Sequence, residues 1–168
     1  MIRTAGGTVA FLALSVMSLA RGEPRFNETP LRGLHGYSIQ IILAHPARAR
    51  EVGVDTRQMK TTLEKRLKEA ELFAGPCCGD PLAGTLHVEL QLMGPEAGIY
   101  GWYMVLEVQQ SARLDRDPES GIVIAVPWQV AVSGIAPKAQ IRDAVYDGFD
   151  GLISSLLKAH KRGGPASR

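Results

Sequence analysis

Few residues in this 168-residue chain have the type and spacing that chemistry needs. Cys77 and Cys78 are adjacent, within the segment GPCCGDP. Neighbouring cysteines bridge only through a strained ring far from preferred disulfide geometry, so the pair does not read as a disulfide framework. Three states stay open for it: separate thiols, a vicinal disulfide, or intermolecular pairing or metal contact. Dithiol redox motifs ordinarily place two residues between the cysteines. Two thiols without a nearby histidine fall short of a zinc site.

The four histidines are His35, His45, His87 and His160, and none has a second histidine three or four residues away. His87 and Glu89 share a strand face at i,i+2, a pairing suited to proton transfer or metal ligation. A solvated strand face gives the same letters. Ser133 lacks a nucleophile elbow, and Ser154 and Ser155 fall inside a helical pattern. Asp115, Asp117 and Glu119 are too closely spaced for a calcium loop, and Pro118 intrudes; they read as a charged turn. No catalytic residue, metal ligand or cofactor is therefore assigned. A hydrolase or redox activity would require His87, Glu89 or Cys77 to converge with a polar group from a distant loop.

The elements that position these residues are easier to read. Tyr37, Ile39, Ile41 and Leu43 alternate with Ser38 and Gln40 in a half-buried strand that Pro46 ends. Asp55 is a natural helix N-cap, with Gln58 at the capping-box position and Val54 and Met59 placed as a hydrophobic staple. Met59, Leu63, Leu67 and Ala70 then recur at helical spacing, and Glu64 and Lys68 form an i,i+4 pair. A second strand, Thr85 to Leu92, turns Leu86, Val88, Leu90 and Leu92 inward and His87, Glu89 and Gln91 outward. The third, from Tyr100 to about Leu114, buries Tyr100, Trp102, Met104, Leu106 and Val108. The fourth, from Ile122 to about Val132, sets Ile122, Ile124, Val126, Trp128 and Val130 against Val123, Ala125, Gln129 and Ala131. Pro127 within it requires an edge position, a bulge, or two short strands. Ile141, Val145, Phe149, Leu152, Ile153 and Leu156 stripe a final helix.

The order β-α-β-β-β-α predicts an α+β fold, a four-stranded mixed sheet with two helices packed on one face. The strands after the first helix, joined by short connections, are expected to be antiparallel neighbours. The opposite sheet face is expected to display Tyr103, Val105, Val123 and Ala125, a candidate interaction surface for a partner, a second copy or a lipid. A minor core closed by the N-terminal arm is the other account of the same residues.

The N-terminus, MIRTAGGTVAFLALSVMSLARGEP, places basic Arg3 before the apolar run Val9 to Met17, with small residues at Ser18 and Ala20. That is the layout of a secretory signal, too short for a stable span. A retained anchor or buried helix is the other reading. The expected organisation is a signal peptide over 1–20, an arm over 21–35, one α+β domain over 36–162 and a disordered tail over 163–168. The formal net charge of +2 becomes +1 once Arg3 is lost. A near-neutral chain gives no argument for a nucleic-acid partner. No later run is long enough to span a bilayer.

Taken with these elements, the segments VGVDTRQMKTTLEKRLKEAEL, TLHVELQLM, GWYMVLEVQQSARLDRDP, VPWQVAVSGI and IRDAVYDGFDGLISSLLKAHK resemble a family of small exported bacterial proteins of uncharacterised function. The resemblance runs from about Gly36 to Lys161 and concerns fold, not an active site. It makes Trp128, Arg142 and Asp143 family-like positions, Trp128 structural and the other two helix-start residues. The chain departs in having Pro127 where Thr is commoner, and in the GPCCGDP insertion. The element order is also similar to the α/β domain preceding the propeller of the periplasmic Tol-system protein. That likeness implies an envelope role without fixing one.

The expectation is a non-enzymatic, exported protein-binding or scaffold domain, periplasmic or secreted, with an envelope protein or self-association as the partner. A carrier of lipid or a small apolar ligand is the alternative, alongside the hydrolase or redox reading. Expressed in a bacterial host, the chain should be recovered with Arg21 as its first residue. Intact-mass measurement of the exported fraction checks this; a chain retaining Met1 in the membrane fraction would refute the signal.

Overall fold

The computed structural model describes residues 31–75, 83–113, 116 and 121–163. The expected signal peptide, most of the expected arm, Cys77, Cys78, Asp115, Asp117, Glu119 and residues 164–168 lie outside the described residues.

Strand β1 (Gly36–Leu43) is followed by a short helix α1 (Pro46–Glu51) and a longer helix α2 (Thr56–Glu69). Strands β2 (Ala83–Glu96), β3 (Ile99–Ala112) and β4 (Val123–Pro137) come next, and helix α3 (Ile141–Gly163) closes the described chain. The sheet order is β1-β2-β3-β4. β1 runs parallel to β2, from Gly36 opposite Ala83 to Leu43 opposite Leu90, whereas β2–β3 and β3–β4 are antiparallel. The parallel pair follows from the intervening helices, and the antiparallel pairs from short connections. This is the mixed four-stranded α+β sheet that the sequence pattern predicts.

Pro46 does more than end a strand. It occupies the start of α1, where a missing N–H costs nothing. α1 was absent from the expected order because six residues are too few to show a helical period.

α2 and α3 turn their stripes onto the leucine face of the sheet. Met59, Leu63, Leu67, Val145, Phe149 and Ile153 are fully buried against Leu86, Val88, Met104, Leu106 and Val108. Ala70 is instead an exposed C-cap. Lys68 sits over the Phe73 ring, at 4.9 Å, and an i,i+4 ion pair of this helix joins Lys65 to Glu69 at 3.9 Å, both ends well exposed. Such a pair contributes little.

The start of α2 is completed from the far end of the chain. The Asp55 side chain caps the Arg57 N–H at 2.8 Å, as an N-cap should. Gln58 does not return to close a capping box. Its Oε1 accepts from the Tyr146 hydroxyl at 3.0 Å, and that hydroxyl accepts from the Asp55 N–H at 3.2 Å. Tyr146 of α3 thus satisfies the backbone donor that the capping box would have used. Arg142 Nε adds a bond to the Gly53 carbonyl at 3.2 Å, and its guanidinium lies 5.3 Å from the Tyr146 ring centre.

Trp102 is the tightest fit between sheet and helix. Its indole lies against two positions without side chains, Gly134 on β4 and Gly148 on α3. A Cβ at Gly134 would fall 2.8 Å from Nε1, and one at Gly148 would overlap Cη2 and lie 2.9 Å from Cζ3. Both glycines are kept by this close approach, at some cost in helix propensity for Gly148.

Gly148→Ala should therefore destabilise the protein by about 1–3 kcal/mol, because overpacking outweighs a helix-propensity gain of about 1 kcal/mol. Urea unfolding measures it, and Trp102→Phe in the same background should recover part of the loss. A stabilised Gly148→Ala protein would refute the slot.

Candidate functional site

Side chains alternate along each strand, so the face opposite the helices is defined by register. One of its central rows is wholly polar, and the next is mixed. Gln40, His87, Glu107 and Gln129 align across the four strands, and Ile42, Glu89, Val105 and Ala131 form the adjacent row. His87 is half-buried, and its Nδ1 finds no hydrogen-bond partner among the described residues. Glu89 Oε1 accepts from Gln91 at 2.9 Å, and Glu107 Oε2 from Gln109 at 3.3 Å. His87 is thus directly across from Glu107, which the sequence reading did not single out, while Glu89 is engaged along its own strand. No group of three metal-ligating side chains is assembled among the described residues.

One apolar group lies toward one end of this face. Met93, Gly101 and Ile135 form a cross-strand row, next to Gln91, Tyr103 and Ser133. The missing side chain at Gly101 leaves Met93 to lean over it, its Cε 3.4 Å from where a Cβ would stand. Ile135 is 71% exposed and Tyr103 39%.

The other end corrects the expected surface. β4 carries a bulge where Val126 and Pro127 together oppose Gln109, between the pairs Val108–Trp128 and Gln110–Ala125. One extra residue reverses the alternation. Val123 and Ala125 consequently share a side with Trp128 and the helices, and are not on the open face. Ile124, opposite Ser111, faces outward in their place at 71% exposure, and Ile122, two residues before it, is 67% exposed. Of the four residues expected there, Tyr103 and Val105 are on the open face, and Val105 is only 8% exposed, flanked in register by Glu89 and Ala131. Pro127 marked the break in the sequence; the direction of the phase change was readable only from cross-strand pairing.

Two polar clusters away from this face join residues distant in sequence. At one end, the Tyr100 hydroxyl donates to Glu51 Oε1 at 2.7 Å and Lys138 Nζ to the same oxygen at 3.0 Å. Arg48 Nη1 donates to the Leu92 carbonyl at 2.7 Å. The Tyr100 bond and then Lys138 hold the Glu51 carboxyl below its usual range, while Glu51 raises both Tyr100 and Lys138. An open cleft of about 450 Å³ runs beside this cluster, lined by Ala44, His45, Pro46, Ala47, Arg48 and Glu51. A smaller one, about 230 Å³, lies among Ile39, Lys60, Glu64, Phe73 and Gly75.

At the other end, the Tyr37 hydroxyl lies 2.9 Å from His160 Nδ1, with the rings edge-on at 5.7 Å. Burial keeps Tyr37 protonated well above its usual range and pushes His160 below its own. The neutral imidazole and the phenol share one hydrogen bond, whose direction follows the His160 tautomer. These clusters organise the ends of the sheet and join the first strand and short helix to the last third of the chain.

No family model, curated protein or solved structure matches the chain. Among the described residues no helix is long and apolar enough to cross a membrane.

The sign of the His160 effect is fixed by its lowered value. The unfolded chain, titrating near 6.5, binds more protons than the folded one just below that pH. Stability is fully present above about pH 6.5 and declines as the pH falls from there toward the folded value. Urea midpoints of the parent should drop between pH 7.5 and pH 5.5, and His160→Gln should flatten the decline. Equal slopes in the two proteins would contradict a buried neutral His160.

Proposed function

We propose that this chain is an exported, non-enzymatic binding or scaffold domain of the cell envelope, acting through the open sheet face and the β4 edge. The observation that carries the reading is the exposure of Ile124 and Ile135 along β4, and of Ile122 just before it, on a strand with no neighbour on its outer side among the described residues. Branched aliphatic side chains kept in water cost free energy that a partner surface would recover. The outward-facing isoleucines gain nothing for the domain's own packing, since the core on the helix side is already continuous.

An alternative carrier of small apolar ligands would need volume between sheet and helices. There, the side chains of Leu86, Leu106, Phe149 and their neighbours are fully buried against one another. The signal-like N-terminus supports the envelope as the setting in which a partner would be met.

Immobilised mature protein should enrich one component, or a further copy of itself, from its native envelope extract. Ile124→Lys and Ile135→Lys should lose that enrichment while retaining the parent's unfolding midpoint. Enrichment unaffected by both substitutions, or a tightly held small ligand in place of a protein, would overturn the proposal.

A further inference from the structure

We propose that the occupant of the β4 edge is a second copy of this chain, with the two β4 strands pairing antiparallel about Val132. This rests on the binding-domain reading and names its partner.

The two edges of the sheet differ. The start of β1 is met by the segment after α2: the Tyr37 N–H donates to the Leu72 carbonyl at 2.8 Å, and the Ala74 N–H to the Tyr37 carbonyl at 3.1 Å. β4 is 15 residues long and no described strand lies beyond it. Edge strands ordinarily carry charges, lysine above all, that oppose pairing with another strand. Val123–Pro137 contains no charged residue, in a chain where 21% of residues are charged. A partner strand of matching character must be uncharged and rich in small and branched side chains, and β4 itself satisfies that.

Its two prolines define the register. Pro127, in the bulge, and Pro137, at the end, cannot donate to a ladder, and between them Trp128–Ala136 retains every N–H. Val132 is the midpoint of that run. A two-fold axis there sets Gln129 opposite the second copy's Ile135 and Ala131 opposite its Ser133 on the open face. On the helix side it sets Trp128 opposite Ala136 and Val130 opposite Gly134. No residue changes face, because the bulge lies outside the paired stretch. The contact is isologous and closed, extending the sheet from four strands to eight without leaving a growing end at β4. It places the highly exposed Ile135 against a neighbour and brings the two open faces into one surface.

Sedimentation velocity on the mature protein over a rising concentration series should show a monomer–dimer equilibrium. Ala131→Lys, at an exposed position, should weaken it by about tenfold or more, whereas Ile42→Lys on β1 should leave it unchanged. In a Cys77→Ser, Cys78→Ser background, Ala131→Cys mixed with Ser133→Cys should cross-link faster than either alone. A protein that stays monomeric throughout the series overturns self-pairing; so does a dimer insensitive to Ala131→Lys. If such a monomer still captures an envelope component through Ile124 and Ile135, the binding reading stands and only the second copy is excluded.

Discussion

A strand side chain has two directions available, and in this sheet one of them is closed by α2 and α3. Everything else in the domain follows from which residues take the closed side. Leucines at Leu86, Leu90, Leu92 and Leu106 take it, so the polar residues between them are committed to the other face. A slip of one position in β2 would transfer Leu86, Val88, Leu90 and Leu92 into water, which far exceeds any local hydrogen-bond compensation. Register is thus held by burial, and the polar row of His87, Glu107 and Gln129 is its by-product before it is anything else. At Val126–Pro127 β4 changes phase, and there the result is visible at once as isoleucines in solvent.

Much of the fold was legible because its period was long enough to read. β1, β2 and β3 alternate cleanly, and the stripes of α2 and α3 persist over several turns. α1 escaped because a single short turn beginning at Pro46 has no period. The phase of β4 before Pro127 escaped for another reason: a bulge is a property of two paired strands, and one strand's letters record the proline but not how many residues the partner spends opposite it. The candidate surface was misplaced by that one residue. Ile124 and Val126 read as core in the sequence because they alternate with Trp128, and they lie outside because the alternation is interrupted.

The clusters at the sheet ends were not legible at all. Tyr37 and His160 are 123 residues apart, and Tyr100 and Glu51 are 49 apart. Nothing local distinguishes Glu51 from a solvated helix residue, or His160 from a basic residue completing a helix C-terminus. Their partners are set by topology, since the parallel β1–β2 pair and the final helix bring chain segments together that sequence spacing separates. The capping residue Gln58 illustrates the same limit, because its letter and position fit a local motif while its oxygen is used by Tyr146.

That use of Tyr146 bears on the order in which the polypeptide acquires its shape. A growing or threading chain presents α2 long before α3, and until residue 146 arrives the first turn of α2 has an unanswered backbone donor at Asp55 and no bond at the Gly53 carbonyl from Arg142. The parallel strand pair is in the same position, for the Tyr37 hydroxyl waits on His160. Contacts spanning most of the polypeptide carry a loop-closure penalty that local contacts avoid. The first turn of α2 and the start of β1 therefore gain these bonds only once the last helix has joined them.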